Sequence, residues 1–251
     1  MNRKLEAMRG AERPLLPRVR VVGRGRAGGA LATALSRAGV PVDGPLGRDD
    51  LRTAARDVDL VVLAVPDGVI AAAAAAVEPV DTTVVAHVAG SLGLDVLAPH
   101  VRRAAIHPLL ALPDAEIGAE RLLSGGWFAL AVDGDPLGDR VVELLGGRSI
   151  EVADADRARY HAAAVIASNH LVALLDQAAV VAPAGVPLDA YLDLVRATVD
   201  NVAALGPRDA LTGPAARGDD ATIARHLAAL PPDERPLYEM LSARCRTLAD
   251  S

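Results

Sequence analysis

Apolar runs and segments of helical periodicity alternate along the first part of the chain. The runs at 60–65 and 82–88 have the length and apolar character of strands that are buried on both faces of a sheet. The segments 29–38 and 69–77 instead place small apolar residues at helical spacing. This alternation predicts an α/β fold with a parallel sheet that is covered by helices. Further strands are predicted at 19–22, within 40–46, and at 104–107, 127–132 and 149–152, with a short helix at 51–58.

The pattern changes after residue 153. Residues 156–184 keep helical periodicity for nearly thirty positions, and further helices are predicted at 188–205, 220–230 and 236–248. We therefore expect three parts: a flexible polar extension at 1–17, an α/β domain at 18–153 and an all-helical domain at 154–251.

A glycine-rich segment directly follows the first predicted strand. Gly23, Gly25 and Gly28 have the spacing G-x-G-x-x-G and precede an amphipathic helix. In dinucleotide-binding folds these glycines permit the tight turn, the close approach of a pyrophosphate and the close packing of helix on strand. We expect a Rossmann-like domain that binds a dinucleotide here, with Arg26 and Ala27 as further contacts. The alternative is a Rossmann-like shell without a cofactor.

The choice between NAD and NADP is predicted from the end of the second strand. About 20 residues beyond the glycines, an acidic residue binds the ribose of NAD, whereas an arginine accommodates the 2′-phosphate of NADP. Arg48 stands 20 residues after Gly28, which favours NADP. Three nearby acids leave NAD as the alternative: Asp43, Asp49 and Asp50.

Two histidines end neighbouring strands at the edge where open α/β sheets bind ligands. They are His87 and His107. Imidazole can exchange a proton near neutral pH, but it is also common as a hydrogen-bonded structural group. Further candidates at this edge are Val65, Pro66 and Asp67 as cofactor contacts and Ser91 as a substrate contact.

The predicted helix over 156–184 carries polar residues within an apolar sequence. His161 and Asn169 are eight positions apart, about 80° around a helix axis, so both can border one groove. Each is a candidate for contact with a cofactor or substrate, or for a hydrogen bond between helices. Thr212 and Arg217 lie in a loop-like segment further along, where an arginine can hold a substrate carboxylate or cap a helix.

In this order, the motifs resemble a family of bacterial oxidoreductases that pair a Rossmann-like domain with a helical C-terminal domain of the 6-phosphogluconate dehydrogenase type. The resemblance extends over about residues 18–248, and some relatives are assigned as an alternative ketopantoate reductase. It implies NAD(P)H-dependent reduction of a small carbonyl or imine substrate, and a homodimer formed through the helical domain. Our first hypothesis is an NADP-preferring reductase of a small 2-oxo acid, with ketopantoate as the leading candidate. Val165 stands where related hydroxyacid dehydrogenases have a catalytic lysine, so their mechanism does not carry over.

Within such a reductase we expect Arg217 to hold the carboxylate, Asn169 to orient the carbonyl, and His107 or His161 to donate the proton. Two alternatives stay open. One is an imine reductase of the pyrroline-5-carboxylate reductase type. The other is an NADP-binding sensor or scaffold without turnover, which Ala89 favours, because relatives often have a serine there within a His-x-Ser-Gly pattern.

Composition narrows the range of partners. The chain has 26 basic and 32 acidic residues, a net charge of −6, and no basic stripe interleaved with aromatics, so we expect no nucleic acid. Cys245 is the only cysteine, which excludes an intrachain disulfide and a cysteine-based metal site, and we expect no metal. We expect a cytoplasmic protein without a signal peptide or membrane span. Lys4 is the only lysine, so histidine is the natural acid.

Overall fold

The computed structural model describes residues 16–251, without the side chains of residues 48–50. The predicted extension at 1–17 therefore falls almost entirely outside the described residues. The chain divides into two compact units, with the division between Val165 and Ile166. The first unit contains a sheet and its covering helices, and the second is helical.

The division lies twelve residues beyond the boundary that the sequence suggests near 153. The helical pattern begins at the earlier position, but the first turns of that helix still contact the sheet unit. Arg157 is fully buried, and the Tyr160 hydroxyl lies 2.8 Å from a ring nitrogen of His107. Periodicity marks where a helix starts and gives no information on which unit it packs against.

A seven-stranded sheet forms the first unit, in the order β2-β1-β3-β4-β5-β6-β7. The strands β1 to β5 all run in the same direction, as the sequence predicts. The strand β6 instead runs antiparallel to β5, and β7 runs with β6. An all-parallel sheet is thus wrong for the last two strands, because an apolar run carries no information on strand direction. The bounds are β1 Val19–Val22, β2 Val42–Leu46, β3 Leu60–Leu63, β4 Val84–His87, β5 Arg103–Pro108, β6 Trp127–Val132 and β7 Arg148–Glu151.

Two apolar clusters cover the two faces of the sheet. Leu35 and Phe128 belong to one cluster, and Leu63 and Ile70 belong to the other. Alanine and valine fill most of both clusters, as expected for a chain with 2% aromatic residues. The helices of this unit are α1 Arg26–Arg37, α2 Ile70–Ala76, α3 Ala115–Leu122, α4 Leu137–Leu144 and α5 Arg157–Val165.

Small residues allow α1 and α3 to pack in close contact. A Cβ atom at Gly118 would lie 2.6 Å from the Cβ atom of Ala30, and one at Gly29 would lie 3.0 Å from that of Ala115. Because α1 also carries the glycine-rich loop at its start, this contact fixes the helix that presents the loop.

The second unit begins with a π-helical segment, Ile166–His170, that interrupts the single helix predicted over 156–184. It continues with α6 Leu171–Val181, α7 Leu188–Leu205, α8 Asp220–Ala229 and α9 Arg235–Ala249. No residue from 166 to 251 is buried in the described chain. Large apolar side chains are instead exposed, among them Val172 (67%) and Leu194 (64%). The second unit therefore does not bury the apolar faces of its own helices.

One helical stretch is long and apolar enough, by length and composition, to cross a membrane. It is Asp154–Val181, with 28 residues and a mean hydropathy of 1.5 over its best window. Polar side chains interrupt its apolar sequence, among them His161 and Asn169. An apolar helix that packs against other protein meets the same criterion.

The close packing of α1 on α3 gives a prediction for stability. We expect Gly118→Leu to lower the free energy of unfolding by about 2–3 kcal/mol, because the added atoms overpack the contact with Ala30. Urea unfolding followed by the fluorescence of Trp127 measures the change.

The matched control is Gly68→Leu, because a Cβ atom at Gly68 meets nothing within 4 Å. We expect this variant to unfold within about 0.5 kcal/mol of the unmodified chain. Equal stability of the two variants would contradict the packing described here.

Candidate functional site

The strands β1, β3 and β4 end at one level of the sheet. Val22 is paired with Leu63, and Leu63 with His87. His87 is paired in turn with Ala105, so β5 extends beyond this level to His107 and Pro108. At about 3.3 Å per residue, His107 lies about 7 Å further out than His87. The two histidines that the sequence treats alike therefore occupy different depths at this edge, which we call the carboxyl edge.

The glycine-rich loop leaves β1 at the carboxyl edge. Gly23 has a φ of +115°, and a Cβ atom there would lie 2.1 Å from the carbonyl oxygen of Ala64. A Cβ atom at Gly28 would lie 1.9 Å from the carbonyl oxygen of Gly23. Both positions therefore require glycine for the turn and for the packing of α1, which are the roles predicted from their spacing.

Gly25 differs from the other two glycines. Its φ of −76° and ψ of −177° suit any residue, and a Cβ atom would meet nothing within 4 Å. Gly25 precedes Arg26 and Ala27, which open α1, and no side chain caps this end of the helix. The loop therefore leaves bare backbone and uncapped N–H groups facing open space, which suits the pyrophosphate of a dinucleotide.

Arg24 brings a cation to the end of β2. Its Nε donates a long hydrogen bond of 3.4 Å to the carbonyl oxygen of Pro45, and its guanidinium carbon lies 3.6 Å from the position of a Cβ atom at Gly47. This is where the adenosine ribose binds in dinucleotide-binding folds. The sequence analysis missed Arg24, although a basic residue directly after the first glycine was a usable signal.

Of the three acids that leave NAD as an alternative, the structure describes the side chain of Asp43 but not those of Asp49 and Asp50. Asp43 is paired with Arg20 at 2.9 Å, so its carboxylate is engaged within the sheet. Arg48 lies in the 3₁₀ turn Arg48–Thr53 that follows β2. Its side chain, like those of Asp49 and Asp50, lies outside the described residues, so its contact with a 2′-phosphate stays a prediction.

His87 is buried, and the backbone of its own loop uses both of its ring nitrogens. The N–H of Ala89 donates to Nδ1 at 3.2 Å, so Nε2 carries the proton and donates to the carbonyl oxygen of Gly93 at 3.1 Å. Burial lowers the pKa of His87, and the charge of Arg157 lowers it further. This geometry gives His87 a structural role, in contrast to the catalytic role predicted from its place at a strand end.

His107 and His161 lie together beside Tyr160. Nδ1 of His107 is 2.8 Å from the Tyr160 hydroxyl, and the two histidine rings meet edge to face with centroids 5.7 Å apart. A Cβ atom at Gly90 would lie 2.4 Å from Nδ1 of His161 and 2.9 Å from Nε2 of His107. Both rings can lie next to position 90 because Gly90 has no side chain. Tyr160 and Gly90 were not among the candidate site residues.

Burial shifts the pKa values of His107 and Tyr160. It lowers the pKa of His107 to about 4, with smaller contributions from His161, Arg157 and His87. It also raises the pKa of Tyr160. Near neutral pH, His107 is therefore a neutral imidazole bonded to a protonated phenol. Nδ1 of His161 is buried and has no hydrogen-bond partner within residues 16–251.

The other candidates at the carboxyl edge line the ends of β3 and β4. Val65 is half-buried, and its Cγ1 lies 3.4 Å from the position of a Cβ atom at Gly23. Pro66 and Asp67 are exposed. The Ser91 hydroxyl donates to a carboxylate oxygen of Asp67 at 3.4 Å, which links the two strand ends next to the glycine loop.

Three predicted residues lie in the second unit. Asn169 is exposed in the π-helical segment, and its side-chain oxygen accepts a hydrogen bond of 2.9 Å from Ser168. Such segments are frequent at functional sites. Thr212 and Arg217 are exposed in the turns that precede α8. Their roles toward a substrate stay predictions.

Two family models match parts of the chain. Residues 46–113 match a Rossmann-like domain, and residues 131–245 match a domain of unknown function, DUF2520. The curated proteins contain no match to this chain. The finer resemblance to 6-phosphogluconate dehydrogenase-like proteins and ketopantoate reductase stays a prediction.

Solved structures with the same fold include three NADP-linked oxidoreductases. A Bacteroides fragilis protein, assigned provisionally as an NADP oxidoreductase, is 22% identical, with a TM-score of 0.77 over 92% of this chain and 98% of that one. Pyrroline carboxylate reductase of Plasmodium falciparum, with NADP bound, is 14% identical, with a TM-score of 0.57 over 93% and 98%. The Aspergillus terreus reductive aminase, in complex with NADPH, is 12% identical, with a TM-score of 0.69 over 94% and 99%. At these identities the likeness establishes the α/β fold with a helical C-terminal region.

Proposed function

We propose that this chain is an NADP-dependent reductase of a small carbonyl or imine compound. One observation carries the proposal: the open glycine loop and the His107–Tyr160 pair lie at the same carboxyl edge of one sheet. They are three strand spacings apart, about 14 Å. A dinucleotide whose pyrophosphate lies at Gly25 can extend along this edge toward the histidines.

NADPH, when bound, would supply the hydride. The chain's own residues would then bind the substrate and donate a hydrogen bond to its oxygen or nitrogen, while water would supply the proton that the product retains. Because His107 is neutral near pH 7, it acts as a hydrogen-bond donor rather than as an imidazolium acid. In the proposed mechanism the Tyr160 hydroxyl, 2.8 Å from Nδ1, donates to that nitrogen. The proton of the neutral ring is then on Nε2, which is left to face the substrate. His107 Nε2 is therefore the group that donates to the substrate, and Tyr160 fixes its tautomer.

Among substrates, the small 2-oxo acids come first, with ketopantoate as the leading candidate from the family resemblance. Cyclic imines of the pyrroline-5-carboxylate type are the alternative, in keeping with the fold shared with pyrroline carboxylate reductase. A sensor or scaffold would bind NADPH without oxidising it in the presence of either class. A turnover screen with NADPH and both classes of compound separates the three functions.

We expect NADPH to bind more tightly than NADH, with Arg24 and Arg48 both contributing. Loss of one charge-assisted contact in Arg24→Gln should weaken NADPH binding about 10–100-fold and NADH binding less than about twofold. Arg48→Asp should show the same selectivity. Trp127 starts β6 at the carboxyl edge, so its fluorescence can report the titration, with calorimetry as the second readout.

The control is Arg37→Gln, because Arg37 lies at the end of α1 away from the glycine-rich loop and is paired with Glu116. Its affinities should match those of the unmodified chain. Equal losses for NADPH and NADH in Arg24→Gln would contradict the role of Arg24, and binding of neither nucleotide to the unmodified chain would remove the proposed function.

The protonation of His107 can be tested without a substrate. Nitrogen NMR of the imidazoles should show His107 neutral from pH 8 down to about 5, with the proton on Nε2 and a pKa of about 4. His107→Asn assigns the signal. Because the pKa in the folded chain lies below the ordinary value of about 6.5, the neutral ring stabilises the fold above pH 6.5, and this stabilisation is lost as the pH falls toward 4.

In Tyr160→Phe, the tautomer of His107 should become mixed and turnover should fall about 10–100-fold, while the dissociation constant of NADPH is unchanged. Tyr238→Phe is the control, since Tyr238 makes the same kind of hydrogen bond, 2.6 Å, to His226 in the second unit. An imidazolium at position 107 at pH 7 would rule out this mechanism.

The exposed helices of the second unit favour a homodimer. No residue from 166 to 251 is buried in the described chain, and aliphatic side chains are exposed on α6 and α7. Such faces are covered by another protein surface in most soluble proteins, and a second copy presents the same faces for a two-fold contact.

We expect Val172→Glu and Leu194→Glu to convert the dimer to a monomer at micromolar concentration, because each would bury an unpaired charge. Sedimentation velocity measures the change. Val101→Glu is the control, since Val101 is 74% exposed in the first unit. An unmodified chain that sediments as a monomer would contradict the proposal.

A further inference from the structure

Arg157 is the largest fully buried side chain of the described residues, with 0% of its surface exposed. It opens α5, one helical turn before Tyr160. A buried arginine normally makes close pairs with carboxylates or carbonyl groups, because its five N–H groups lose their water.

The contacts of Arg157 are few and long. Its Nε lies 3.8 Å from one carboxylate oxygen of Asp154, and one terminal nitrogen donates to the carbonyl oxygen of Ala89 at 3.5 Å. Nε and the other terminal nitrogen have no hydrogen-bond partner within residues 16–251. The second oxygen of Asp154 already accepts a hydrogen bond of 2.9 Å from the N–H of Leu94. Asp154 is therefore held by the chain at Leu94 and only partly compensates the guanidinium.

A buried cation that is only partly compensated is costly, because its N–H groups have lost their hydration. The two neighbouring histidines, His87 and His107, do not compensate this charge, and it lowers the pKa of each. A small anion with two oxygens would satisfy the free N–H groups in the planar, bidentate geometry that guanidinium favours.

We propose that Arg157 binds the carboxylate of the substrate. This inference rests on the proposed reductase and narrows its substrates to small carbonyl or imine compounds in which the reacting carbon is next to a carboxylate, as in 2-oxo acids and cyclic 2-imino acids. The carboxylate would lie on Arg157 while the neighbouring oxygen or nitrogen accepts a hydrogen bond from His107. Arg217, which the sequence favours for this role, becomes the alternative.

Binding requires a local movement, because the guanidinium has no exposed surface. The hydrogen bond to Ala89 is at the outer limit of length, so little is lost when this contact opens. The entering carboxylate replaces that bond with two shorter ones.

Oxamate is a suitable probe, because it carries a carboxylate next to a carbonyl group and is not reduced. Calorimetry of the NADPH-loaded protein should detect oxamate binding, and Arg157→Met should weaken it by about 100-fold or more. Arg157→Lys should retain part of the affinity. The control is Arg159→Met, since Arg159 lies on the same helix with 86% of its side chain exposed. NADPH affinity should be unchanged in all of these variants.

A second measurement uses the unmodified chain and does not depend on how the variants fold. The NMR signal of the Arg157 Nε–H group, assigned by its absence in Arg157→Lys, should shift on addition of oxamate. Unchanged oxamate binding in Arg157→Met, loss of binding in Arg217→Met alone, or no binding by the NADPH-loaded unmodified chain would each overturn the inference. Failure of the proposed function is distinguishable, because it appears as a lack of NADPH binding.

Discussion

The register of the parallel strands is the constraint on which the site depends. Because Val22, Leu63 and His87 are aligned across β1, β3 and β4, the loops that follow these strands emerge side by side. The backbone hydrogen bonds of the sheet thus bring together the glycine loop, Asp67 and the segment around Gly90. The strand β5 extends beyond this level. His87 is therefore hydrogen-bonded within its own loop, whereas His107 lies further out at the carboxyl edge.

Local features of the sequence predict some elements of the fold and some residues of the candidate site, and miss others. The roles of Gly23 and Gly28 follow from steric rules within a few residues, and the structure confirms their packing. The reversed direction of β6 depends on how the chain returns to the sheet, which apolar periodicity does not encode. Tyr160 and Arg157 were missed because their partners, His107 and Ala89, lie more than fifty positions away in the chain. Only the packing of α5 on the sheet unit brings them into contact.

The electrostatics of the cluster follow from an excess of basic groups over acids. Arg157 and the rings of His87 and His107 share a poorly hydrated space in which Asp154 is the nearest carboxylate to the guanidinium. Burial is the main reason why the pKa values of both rings are lowered, and the positive charge of Arg157 lowers them further. These charges fit the proposed binding of a carboxylate at Arg157 and the proposed hydrogen bond from a neutral His107.

Gly25 is informative about the evolutionary history of this chain. Selection for the fold alone would retain Gly23 and Gly28, where any side chain collides with backbone, but it would leave position 25 free to drift. A lineage that had abandoned its nucleotide would accumulate alanine, serine or larger residues there while its sheet stayed intact. The residue found at position 25 in homologous chains is therefore a historical record of whether a ligand has continued to lie against this loop.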